Sequence, residues 1–106
     1  MKLKDTKFNL FGTEYTIKYV DKIEDKNSRD EDVEIYGQTI YCSREIKIAK
    51  TVYGEKQPLE EMRLTLLHEI MHAIFTSGQY LSCSSDEPLV EWVSRCLNQL
   101  IKEKII

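Results

Sequence analysis

Apolar and polar residues alternate through the first half of the chain. From Lys7 to Val20, Phe8 and Leu10 are set off by polar neighbours, Phe11-Gly12-Thr13 can reverse the chain, and Tyr15, Ile17 and Tyr19 then fall on one face. A period of two is the mark of a half-buried strand, so this segment predicts a pair of strands. Asp21 to Asp32 is polar and charge-rich and reads as an exposed connection or a frayed helix. Two further strands are predicted over Val33 to Tyr41 and Glu45 to Ala49. The short Cys42-Ser43-Arg44 link between them favours an antiparallel hairpin. Gly37 reads as a bulge or a place where another backbone comes close.

The period changes near Pro58, a residue suited to the start of a helix. Glu60 and Glu61 suit the first turn of a helix running to about Thr76, with Gly78 placed to end it. Leu59, Met62, Leu66, Ile70, Ala73 and Ile74 line one side, while Leu64, Leu67, Met71 and Phe75 line another. Apolar residues over most of the girth predict a buried helix. Gln79 to Ser85 reads as a polar loop. A last helix is expected from about Asp86-Glu87-Pro88 almost to Ile106, with Ser85 as its N-cap. Leu89, Val93, Leu97 and Leu100, joined by Val90 and Ile101, would form its core stripe. The fold class is α+β: one domain over residues 1–106, a small antiparallel sheet packed on the first long helix, and a C-terminal helix beside it.

Chemistry enters through that first long helix. Both histidines of the chain lie in it, as His68-Glu69-Ile70-Met71-His72. Residues four apart on a helix stand one above the other, so two imidazoles can reach one ion. This is the H-E-x-x-H arrangement of zinc metalloproteases, in which the glutamate serves as general base. A pair of buried histidines around a buried carboxylate is costly without a cation. Catalytic zinc takes a third protein ligand and keeps a position open. Cys83, Asp86, Glu87 and Glu91 are the candidates. Glu87 lies nearer the apolar stripe, next to Val90 and Ser94, and is favoured. Glu91 is then a partner to a histidine or the competing ligand. Cys83 reads better as a packing cysteine.

Composition narrows the rest. The 106 residues include 31% charged and 42% hydrophobic ones, and the net charge is -3. General nucleic-acid binding gains nothing from that charge. No stretch is long and apolar enough for a signal peptide or a membrane span, so no membrane partner is expected. Cys42, Cys83 and Cys96 form neither a disulfide framework nor a metal knuckle, and a reducing, cytoplasmic setting fits. The oligomeric state is not legible.

Tyr36-Gly37, Glu45 to Ile48, Thr65 to Ile74 and Glu87 to Ser94 together resemble the small zincin-like metallopeptidases of phages and prophages, which are related to the ImmA/IrrE-type metallopeptidases. The resemblance implies that a glutamate opening the helix after H-E-x-x-H completes the zinc site, which corresponds to Glu87. Where that family has an Ala-Asn pair this chain has Val90-Glu91, which keeps Glu91 open as the ligand. It also implies hydrolysis of a peptide or protein substrate, with Glu69 as catalytic base. Tyr53 and Tyr80 are candidates to stabilise the oxyanion, and the strand from Ile46 to Ala49 is a candidate edge for a bound peptide. The alternative is a zinc-stabilised phage regulatory or binding module without proteolytic activity.

Overall fold

A computed structural model describes residues 4–25 and 33–106. In chain order the elements are β1 (Thr6–Leu10), β2 (Thr13–Val20), β3 (Ile23–Glu24), β4 (Glu34–Ile35), β5 (Gly37–Ile40), β6 (Glu45–Ala49), β7 (Thr51–Val52), β8 (Glu55–Lys56), α1 (Leu59–Ser77), α2 (Leu81–Ser84) and α3 (Glu87–Lys102). This is an α+β fold.

Two hairpins build the main sheet. β1 and β2 pair antiparallel with Phe8 opposite Tyr15. Their turn places Phe11 at φ 49° and Gly12 at φ 88°, the two left-handed positions that match the twist of a tight hairpin. The Gly12 N–H donates to Asn9 Oδ1 at 2.7 Å and closes it. β5 and β6 pair antiparallel with Thr39 opposite Ile46, as the short link suggests. The hairpins then join through β2 and β6, which run parallel with Ile17 against Ile46. The strand order is β1-β2-β6-β5, so the sheet is mixed where an antiparallel one was expected. Alternation reports which face a residue occupies and is the same for either strand direction. β6 is therefore an inner strand, which overturns the expectation that Ile46 to Ala49 forms an edge; the edge on that side is β5.

Part of the supposed connection after β2 is structured. Ile23 is buried in β3 and meets Ala49 and Val52, with Val20 and Ile35 against them. A single apolar residue in a charged run leaves no periodicity to read. The expected connection from residue 26 to 32 lies outside the described residues, as does the start of the chain at 1–3.

Tyr15, Ile17, Ile46 and Ile48 project from one face of the sheet onto α1. There they meet Ala73, flanked by Met62, Leu66 and Ile70. Ile46, Ile48 and Ala73 are each 0% exposed. α1 is nonetheless not buried all round: only Glu69, Met71 and Ala73 are fully covered, while Leu59 and Ile74 are exposed. The sheet and α3 shield two of its sides, α2 covers part of its C-terminal half, and other positions face solvent. Pro58 stands just outside the helix in an extended conformation (φ −61°, ψ 151°), as its fixed ring allows. At the other end Gln79 takes the left-handed position (φ 62°), the Tyr80 N–H donates to the Phe75 carbonyl at 2.8 Å, and the Gln79 N–H donates to that of Thr76 at 3.0 Å. That is a Schellman closure with glutamine in the place glycine usually takes. Gly78 instead lies under the Tyr80 ring, where a Cβ would stand 3.0 Å from the ring and would push that exposed side chain aside.

The expected polar loop contains the single-turn helix α2. The cap of α3 is Asp86, not Ser85: the Asp86 carboxylate accepts from the Leu89 N–H at 3.1 Å. α3 ends at Lys102, short of the predicted boundary. Its buried line runs through Val90 and Ser94, both 0% exposed, while Leu100 is exposed. The Ser94 hydroxyl donates to the Val90 carbonyl at 2.7 Å, which satisfies it within the helix. Three contacts register α3 against α1: Glu60 with Lys102 at 2.7 Å, Arg63 with Asn98 at 2.8 Å, and His68 with Glu91 at 2.9 Å. Positions rise along one helix as they fall along the other, so the two are antiparallel, with His68 facing the first turns of α3. Among the described residues no helix is long and apolar enough to cross a membrane.

Candidate metal centre

His68 and His72 occupy successive turns of α1, and their Nε2 atoms lie 3.2 Å apart. Glu87, the first residue of α3, reaches both: Oε2 lies 3.0 Å from His68 Nε2, and Oε1 lies 3.0 Å from His72 Nε2. One atom from each of the three residues falls within 4.8 Å of the others. Tetrahedral zinc with ligand bonds of about 2.0–2.2 Å holds its ligand atoms about 3.3–3.5 Å apart. A few tenths of an ångström of outward movement would admit the ion.

The outer contacts bear on whether these residues fit a cation. His68 Nδ1 lies 2.9 Å from Glu91 Oε2. An ionised carboxylate only accepts, so a proton on Nδ1 matches Glu91 and would leave Nε2 its lone pair for an ion; Glu87 Oε2, 3.0 Å from Nε2, calls for a cation or a proton at that nitrogen. His72 Nδ1 meets Ser84 Oγ at 3.3 Å. With both protons outward, two imidazole lone pairs and a carboxylate converge on one point. A divalent cation would satisfy that convergence.

The other ligand candidates lie elsewhere. Glu91 is behind His68, and its Oε1 accepts from Arg95 Nε at 2.9 Å. Asp86 caps α3, and neither it nor Cys83 belongs to the converging group. The Glu87 side chain is 64% exposed, so the point of convergence is open to solvent on that side.

The Glu69 side chain lies between the motif helix and β5, on the cleft that His68 also lines. It is 9% exposed, and Thr39 Oγ1 donates to its Oε1 at 3.1 Å. Burial pushes its carboxyl above the ordinary range and the charge of Glu87 adds to this, while the two histidines and the Thr39 hydrogen bond oppose it. Glu69 and His68 share a cleft of about 330 Å³ with Tyr36, Gly37, Leu64 and Thr65, and Arg95 and Glu91 stand at its α3 side. Gly37 is the close approach expected of it: a Cβ there would fall 2.6 Å from Thr65 Cγ2 and 3.1 Å from Glu69 Cγ. Without a side chain at 37, β5 can lie against the motif helix.

Neither tyrosine proposed for the oxyanion lines this cleft. The Tyr53 hydroxyl accepts from the Glu34 N–H at 3.1 Å, which ties it to the β3–β4 pair, and Tyr80 is exposed beyond the end of α1. Tyr36 is the tyrosine present. Sequence reasoning also passed over Thr39, Ser84 and Arg95. Thr39 was within reach, since it lies two residues from Gly37 and so on the same strand face. Ser84 and Arg95 carry no local signal. The chain matches no protein-family model, no curated protein and no solved structure.

Proposed function

We propose that this chain is a zinc-dependent metallopeptidase of minimal zincin-like architecture, hydrolysing a peptide or protein substrate. The observation that carries the reading is the convergence of His68 Nε2, His72 Nε2 and the Glu87 carboxylate beside a cleft that also holds a buried glutamate. His68, His72 and Glu87 would hold the ion, with Glu91 orienting His68 from behind. Zinc, when bound, supplies Lewis acidity that polarises the scissile carbonyl and acidifies the attacking water.

The remaining work falls to the chain's own groups. Thr39 fixes one oxygen of Glu69, leaving Oε2 to take a proton from water and later deliver it to the leaving amine. A carboxyl raised by burial is better matched to that exchange near neutral pH than an ordinary one. β5 is an edge strand lying against the motif helix, with Gly37 at the cleft. A substrate peptide can extend the sheet there by strand addition, which carries its scissile bond past Glu69.

A zinc-stabilised phage regulatory module that binds without cutting would keep the same three ligands. It would have no use for a carboxylate buried against the cleft, and Glu69 favours the enzyme for that reason. Glu69→Gln tests the choice with a peptide library and zinc-loaded protein. Turnover should fall about 10²–10⁴-fold, the usual loss for a general acid–base group, with zinc content retained. Equal cleavage by wild type and variant would remove Glu69 from the mechanism. Tight partner binding by both with no cleavage would favour the regulatory module.

A further inference from the structure

Ser84, the last residue of α2, makes contacts that the proposed reaction does not use. Its Oγ lies 3.3 Å from His72 Nδ1, 3.4 Å from the His72 carbonyl oxygen and 3.0 Å from Thr76 Oγ1. Thr76 Oγ1 in turn donates to the Tyr41 hydroxyl at 3.2 Å. A serine hydroxyl has one proton and two lone pairs. With the Thr76 proton on Tyr41, the Ser84 proton goes to Thr76 Oγ1, and Ser84 meets Nδ1 as an acceptor.

We infer that Ser84 is a positioning residue of the metal site, accepting from His72 Nδ1–H and so holding the tautomer whose Nε2 is free to ligate. The inference rests on the zinc-site reading above. A serine in a helical turn ordinarily bonds within its own turn, as Ser85 does by donating to the Ser82 carbonyl at 3.2 Å. Ser84 instead reaches across to α1. The His72 side chain is only 14% exposed, so an unmatched Nδ1–H would be a partly buried polar group without an acceptor. The two histidines are thus backed differently: His68 by a carboxylate that Arg95 braces, His72 by a neutral hydroxyl. Ser84 and Glu91 both belong to the α2–α3 stretch that supplies Glu87. Docking of that stretch on α1 therefore delivers one ligand and orients the other two.

The test uses the full chain stripped of metal, with zinc affinity measured by competition with a chromophoric chelator. Ser84→Thr and Ser84→Val have nearly the same shape and differ in the hydroxyl. The threonine variant should bind zinc about tenfold more tightly than the valine variant, the low end of the range for partners that orient a ligand. The cobalt(II) absorption of the valine variant should shift from that of wild type while that of the threonine variant matches it. The metal-free forms of the two variants should unfold at the same temperature. Equal zinc affinity overturns the inference, and so does an affinity difference that merely follows a difference in metal-free stability. A wild-type chain that takes up neither zinc nor cobalt overturns the zinc-site reading itself and this inference with it. That outcome is distinct from the first two, in which wild-type binding is intact.

Discussion

Gly37→Ala is the smallest change that tests how β5 and the motif helix fit together. The added Cβ would lie 2.6 Å from Thr65 Cγ2, 3.1 Å from Glu69 Cγ and 3.4 Å from the Lys47 carbonyl oxygen. Carbon atoms attract best at about 3.5–4.0 Å, so the first contact is about 1 Å too short. Thr65 cannot swing away freely, because a β-branched side chain in a helix has few χ1 choices. Strand and helix must separate instead, and overpacking of this kind costs about 1–3 kcal/mol. At about 4–8 °C per kcal/mol for a domain of this size, the unfolding temperature should fall by about 5–20 °C. Thermal and urea unfolding of the metal-free chain, followed by circular dichroism, would read it. Thr65→Ser removes the offending methyl, so the double variant should be more stable than the two separate losses imply, with a coupling of about 0.5–3 kcal/mol. Gly37→Ala unfolding at the wild-type temperature, or strict additivity with Thr65→Ser, would refute the steric account.

The wild-type chain purified without added metal should carry close to one zinc, measured by elemental analysis; His72→Ala should lose it, and Glu87→Ala should weaken binding more than Glu91→Ala. The reverse order, or coordination through Cys83 or Asp86 in a zinc-bound structure, would show the Glu87 assignment wrong. A pH titration of metal-free stability should expose Glu69. Its folded carboxyl is raised above the ordinary 4.5, so its contribution is fully present below that pH and is lost as pH rises through the folded value. Relative to wild type, Glu69→Gln should therefore gain stability as pH climbs through that window; a flat difference would mean that burial does not shift Glu69.

The features legible in the sequence were those written in local patterns. Alternation located the β1–β2 hairpin and β6, and the four-residue spacing located His68 and His72 on one face of α1. The period of two could not say that β2 and β6 run parallel. Nor could it find two-residue strands such as β3, where one buried isoleucine does the packing. Glu87 was favoured for standing next to Val90 and Ser94 on the helical wheel, and those two residues form the buried line of α3. The groups behind the histidines are a matter of tertiary contact: Ser84 stands in a stretch that reads as polar loop, and Arg95 reads as a solvated face. The tyrosine assignment failed for the same reason, since only the packing of β5 against α1 brings Tyr36 to the cleft.

The parallel seam between β2 and β6 sets the order in which the sheet can form. Each hairpin closes over a short turn and can appear in ~1–10 μs. The seam joins Ile17 to Ile46, roughly 30 residues further on, and closing that span costs about 3 kcal/mol of chain entropy in its length-dependent part. Distant pairings of this kind are what slow folding, so we expect the barrier at the meeting of the two hairpins. α1 then condenses on a sheet face that exists only after they meet, because Tyr15 and Ile17 come from one hairpin and Ile46 and Ile48 from the other. Ile46→Val, which trims the seam by one methylene, should slow refolding in a stopped-flow experiment and leave unfolding nearly unchanged. Faster unfolding at an unaltered refolding rate would put the seam after the barrier.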